Sequence, residues 1–140
     1  MKTLKRLTTA AMASLVAVVG FMMAPAPASA GFDDCPDESG YLCFWVDYGW
    51  EGTPGKLSGT NPHWSAFSKS QCASGTWDNC ASSLRNEGRY CEAVVYRDPN
   101  YRGPSWVINR DTGVYDLKQY SMEPGRNWDN EISSNSWWCG

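Results

Sequence analysis

Apolar positions in this chain form one continuous run near the start and, after it, short clusters broken by turn residues. The run covers about residues 10–23. Lys2, Lys5 and Arg6 precede it; Pro25 and Pro27 end it, and Ala28, Ser29 and Ala30 follow. A basic start, a short apolar run and a small-residue site predict a secretory signal, residues 1–30, cut after Ala30. The run falls short of the ~20 residues of a membrane-spanning helix, and no later stretch is apolar enough to span a bilayer. Beyond it, residues 41–47, 90–96 and 105–108 are rich in aromatic and β-branched residues, which predicts strands. Gly, Pro, Asn, Asp and Ser cluster between them, at 52–55, 58–62, 98–100 and 109–113. Apolar spacing at i, i+3, i+4 and i+7 is missing, so at most a helical turn is expected near 65–70 and 117–122. Many short strands with Gly-rich turns predict an all-β sandwich or barrel.

The polar residues add a repeat. Trp77-Asp78-Asn79-Cys80-Ala81-Ser82-Ser83 and Trp128-Asp129-Asn130-Glu131-Ile132-Ser133-Ser134 share the pattern W-D-N-x-x-S-S, 51 residues apart. The same offset relates residues 45–52 to 96–103, where both segments carry aromatic-x-D-x-x-aromatic-x-G. Two motifs in the same order at one spacing indicate one structural unit used twice.

Composition narrows the class. Residues 31–140 suit a single domain. They hold nine basic residues against fifteen acidic ones, a net charge of −6. That argues against a nucleic-acid partner, which needs a basic face, and gives no support for an anionic membrane. Six cysteines, Cys35, Cys43, Cys72, Cys80, Cys91 and Cys139, fit three disulfides in an exported domain. Their pairing is open at this level. A zinc site is disfavoured, because there is no C-x-x-C pair and His63 is the single histidine. All eight tryptophans lie beyond residue 30, where their bulk can fill a small core.

The repeated motifs resemble the Greek-key unit of βγ-crystallins. Trp45, Trp50 and Gly52 match its first half in one copy, and Tyr96, Tyr101 and Gly103 in the other. The resemblance implies a disulfide-bonded sandwich of two Greek keys, about 41–89 and 90–140. It also implies a tight aromatic corner, a glycine with backbone torsions that a Cβ resists, and anchoring serines, Ser83 and Ser134. Cys35-Pro36-x3-Gly40-Tyr41-Leu42-Cys43, placed between a signal and such repeats, is similar to secreted actinobacterial proteins of the microbial metalloproteinase-inhibitor family. That resemblance implies a local Cys35–Cys43 bond and inhibition of thermolysin-like zinc proteases. Pairing Cys72 with Cys80 would close a second short loop, and Cys91 with Cys139 would tie the C-terminus to the start of the second copy.

Microbial crystallin-like domains bind two calcium ions through segments similar to D-N-x-x-S-S. Carried over, the ligands are Asp78, Asn79 and Ser82, with Asp129, Asn130 and Ser133, each ion being shared between the two motifs. The donors are oxygens, as calcium requires. Asp, Asn and Ser also serve as plain turn residues that bond their own backbone.

Little points to an enzyme. His63 lies in a turn with Val114 at the matching repeat position, no G-x-S-x-G or H-E-x-x-H motif is present, and Asp33 and Asp34 fall in an expected mobile tail. The reading is a secreted, monomeric inhibitor of an extracellular protease, acting through a disulfide-pinned loop at 71–77 or a loop at 55–64. The alternatives are a calcium-binding structural or stress protein without a protease target, and a carbohydrate-binding or toxin-like module built on exposed tryptophans.

Overall fold

The computed structural model describes residues 31–140, so the signal expected at 1–30 lies outside the described residues. Nine strands form: β1 Leu42–Trp45, β2 Gly55–Leu57, β3 Ser83–Asn86, β4 Glu92–Asp98, β5 Arg102–Ile108, β6 Thr112–Val114, β7 Ser121–Glu123, β8 Arg126–Asn127 and β9 Ser134–Trp138. Short 3-10 turns cover Tyr48–Trp50, Trp64–Ala66 and Leu117–Gln119. The last two sit at the helical turns expected from the sequence. Among the described residues no helix is long and apolar enough to cross a membrane.

The chain folds as two interlocked Greek keys. One sheet has the order β2-β1-β3-β6 and the other β5-β4-β9, all antiparallel. Strand β6 comes from the second half yet completes the first sheet, Leu84 standing opposite Val114. Reciprocally, Asn61 from the first half bridges Asn135 at the edge of the second sheet. Each half thus lends a segment to the other.

Strand alternation explains the core. In β1, Leu42 and Phe44 point into the main core between the sheets, while Cys43 and Trp45 point into a smaller cluster with Cys35 and Trp50. All four residues of β1 are therefore buried, one face under the second sheet and the other under the N-terminal segment. Phe44 stacks on Trp64 at 4.3 Å between ring centroids and meets Trp77 edge-on at 4.7 Å. The tail expected to be mobile is instead docked. Arg85 donates to the carbonyls of Phe32 and Cys35, and Cys35 is buried through its bond to Cys43, though Asp33 and Asp34 remain exposed.

Three disulfides join Cys35 to Cys43, Cys72 to Cys80 and Cys91 to Cys139. These are the partners expected above. No free cysteine remains among the described residues, which fits an oxidising compartment.

Candidate functional site

The two W-D-N-x-x-S-S segments face one another across an approximate two-fold axis. The Asn79 amide donates to the Ile132 carbonyl at 3.0 Å, and the Asn130 amide to the Ala81 carbonyl at 2.9 Å. Ile132 and Ala81 are themselves repeat partners. Asn79 and Asn130 both adopt left-handed backbone, φ 52° and 57°, which asparagine tolerates better than most residues. The last serine of each motif holds a corner. Ser83 Oγ donates to the Asp47 carbonyl at 2.7 Å and accepts from the Trp50 amide at 3.2 Å. Ser134 Oγ does the same with Asp98 and Tyr101, at 2.7 and 3.1 Å. Trp50 and Tyr101 are themselves left-handed, as are Gly52 and Gly103 that follow.

The remaining motif residues line two clefts. Asp78, Asn79 and Ser133 line the first, and Ser133 Oγ donates to Asn79 Oδ1 at 3.1 Å. Asp129, Asn130 and Ser82 line the second. Each cleft therefore mixes an acid and an amide from one motif with a hydroxyl from the other. Among the described residues no three acids, histidines or cysteines are gathered tightly enough to hold an ion alone. An ion here would rely on amide, hydroxyl and carbonyl oxygens as well, a donor set that would fit calcium. One observation favours that fit: Asp78 Oδ1 and Asp129 Oδ1 are buried without a hydrogen-bond partner. A buried carboxylate oxygen left unpaired is costly, and a cation relieves the cost.

The Cys72–Cys80 bond closes a ring that contains Asp78 and Asn79. Before and within it the backbone turns on itself: Cys72 N–H donates to the Lys69 carbonyl, Gly75 N–H to the Cys72 carbonyl and Lys69 N–H to the Gly75 carbonyl. Ser68 bridges Thr76, and Ser74 Oγ lies 3.0 Å from Thr76 Oγ1. Ala73, Ser74 and Gly75 form an exposed crest, while Cys72, Trp77 and Cys80 are buried beneath it. The other candidate loop, 55–64, is partly absorbed into the fold. Its first three residues are β2, Asn61 bridges Asn135, and Trp64 N–H donates to the Ser133 carbonyl.

Sequence reasoning missed the cations. Arg97 grips Asp98 through two hydrogen bonds of 2.8 and 3.0 Å at the first cleft, and Arg126 meets Glu131 at 2.8 Å. The Arg97 hydrogen bonds hold the Asp98 carboxyl below its ordinary range, and Asp98 in turn raises Arg97. Lys118 lines the second cleft, 3.9 Å from Asp129 Oδ2. The repeat offered a signal: Arg97, just before the corner Asp98, and Arg126, two residues before Trp128, match Val46 and Gly75 at the 51-residue offset, so the charges belong to one copy alone. The structure also corrects the partner of His63. Trp64 N–H donates to Ser133 as Leu117 N–H donates to Ser82, so His63 corresponds to Asp116, not to Val114. His63 itself is exposed.

This architecture is that of the βγ-crystallin domain. A structure described under the evolution of the eye-lens βγ-crystallin domain fold matches with a TM-score of 0.56 at 18% identity, over 72% of this chain and 87% of that one. A βγ-crystallin from Ciona intestinalis matches at 0.53 and 16%, over 70% of this chain and 99% of its own. No curated protein matches. The family model for peptidase inhibitor family I36 matches residues 28–108, more than half of the chain. The chain belongs to that family.

Proposed function

We propose that this chain is a secreted inhibitor of metalloproteases that acts by binding, through the crest of the Cys72–Cys80 ring. The observation that carries the reading is an exposed, internally hydrogen-bonded turn standing on a buried, disulfide-closed base. Such a loop loses little conformational freedom on entering a protease cleft. If the crest is cut, the bond still ties its two ends together. Membership of a peptidase inhibitor family supports the protease partner, and the metalloprotease class follows the resemblance of the Cys35 to Cys43 segment. The test is the double variant Cys72→Ser/Cys80→Ser, assayed against a thermolysin-like protease. Inhibition weakened at least tenfold, with the near-ultraviolet circular dichroism retained, is expected. An unchanged inhibition constant would move the contact to another surface.

The unpaired Asp78 Oδ1 and Asp129 Oδ1 favour a second property, binding of two calcium ions. Asp78, Asn79 and Ser133 would hold one, and Asp129, Asn130 and Ser82 the other. Calcium supplies charge compensation and cross-links the two motifs there. A structural or stress protein without a protease target would share this property, so protease assays, not calcium affinity, separate the two readings. The sugar-binding alternative has less support. Trp45, Trp64, Trp77 and Trp128 are buried, and of the Trp137–Trp138 pair Trp138 is the exposed member.

A further inference from the structure

We infer that the two clefts bind calcium unequally, with the Asp129 cleft as the strong site and the Asp78 cleft guarded by the chain's own guanidinium groups. The inference rests on the calcium reading above and concerns what this sequence does to each copy. The approximate two-fold axis makes the clefts comparable position by position. Asp98 at the first corresponds to Asp47 at the second, and Arg97 corresponds to Val46. Arg126 corresponds to Gly75, and Glu131 to Cys80.

At the first cleft three carboxylates, Asp78, Asp98 and Glu131, face two arginines. Asp98 accepts from Nε and Nη2 of Arg97, whose Nη1 also lies 3.6 Å from Glu123, and Glu131 is held by Arg126. Two of the three acids are thus already paired, and an incoming dication meets two positive groups, Arg97 held by two hydrogen bonds and the more exposed Arg126 by one. A bidentate arginine is pre-organised and always charged, so it does not yield its carboxylate readily.

The second cleft has the opposite balance. Asp47, Asp116 and Asp129 line it with Lys118 as its single basic side chain. Asp116 is occupied by hydrogen bonds from the Lys118 amide and the Gln119 side chain, not by an ion pair, and Asp47 has none among the described residues. These two acids are too spread to ligate an ion together with Asp129, but they set a negative field over it. Lys118 is a single point charge on a flexible stem, about two-thirds exposed and at the outer limit of a salt bridge. It can swing into solvent when a dication arrives. Asp129 stays behind with its side chain nine-tenths buried and Oδ1 unpaired, which is an acceptor already stripped of water and without a partner.

The test is calorimetric titration of residues 31–140 with calcium alone. The wild type is expected to show two steps separated by at least tenfold in dissociation constant. Asp129→Asn should remove the tight step, whereas Asp78→Asn should leave it in place. Lys118→Gln should tighten the tight step further, and Arg126→Ala, by releasing Glu131, should draw the weak step toward it. Near-ultraviolet circular dichroism of each variant shows that the fold is kept. Two equal constants, or loss of the tight step in Asp78→Asn, would overturn the inference while leaving calcium binding intact. No heat from the wild type at millimolar calcium would overturn the calcium reading as well.

Discussion

At the scale of single residues, two serines do the most. Ser83 and Ser134 each join a donated and an accepted hydrogen bond at a corner where the backbone is left-handed, at Trp50 and Tyr101 respectively. Both serines are fully buried, so truncation strands the Trp50 or Tyr101 amide and the facing carbonyl. Ser134→Ala should cost about 1–3 kcal/mol, the penalty for leaving a buried polar group unsatisfied, as read from equilibrium denaturation in urea. A change under a few tenths would show that water replaces the hydroxyl at no loss. These serines were legible from the sequence because they end a motif that occurs twice. Lys118 was not legible. It sits beside Asp129 because a 3-10 turn at Leu117–Gln119 brings it there, and no spacing in the sequence encodes that approach.

At the scale of elements, the repeat hides a compensated shift. The motifs keep a 51-residue offset at both ends, yet Trp64 and Leu117, which make equivalent bonds, are 53 apart. The second copy is two residues longer before this turn, where it fits β5 and β6 (Arg102–Ile108 and Thr112–Val114). The first is two residues longer after it, and the two extra residues fall within the hairpin paired at Ser68 and Thr76, which corresponds to β7–β8. Aromatic and β-branched density revealed β1, β4 and β5, whose apolar faces it reports. It did not reveal β6, because residues 109–113 read as a turn and Gly113 pairs with Arg85 only through tertiary contact. Disulfides rank by the loop they close. Cys91–Cys139 spans 48 residues and Cys72–Cys80 spans 8. Chain entropy assigns about 4 kcal/mol to the long bond and about 2.5 to the short one. Cys91→Ala/Cys139→Ala should therefore lower the unfolding free energy more than Cys72→Ala/Cys80→Ala does, measured in guanidinium. The reverse order would mean that the 72–80 hairpin is needed for the core around Trp77.

At the scale of the whole molecule, the sandwich holds two devices side by side. The crest of residues 73–75 offers a rigid, exposed turn, and the ring beneath it includes Asp78 and Asn79 of the first cleft. Scaffold, loop and oxygen clefts share one short stretch of chain. Residues 31–140 should inhibit, and not merely be resistant to, a protease. The direct measurement is titration of a thermolysin-like protease with this chain at constant calcium, because such proteases need the ion themselves. The expected result is loss of activity that reaches completion near one inhibitor per protease with a submicromolar constant, about −8 kcal/mol or better. Full activity of metallo-, serine and cysteine proteases at micromolar chain would contradict the inhibitor account and leave a βγ-crystallin domain without a protease target in its place.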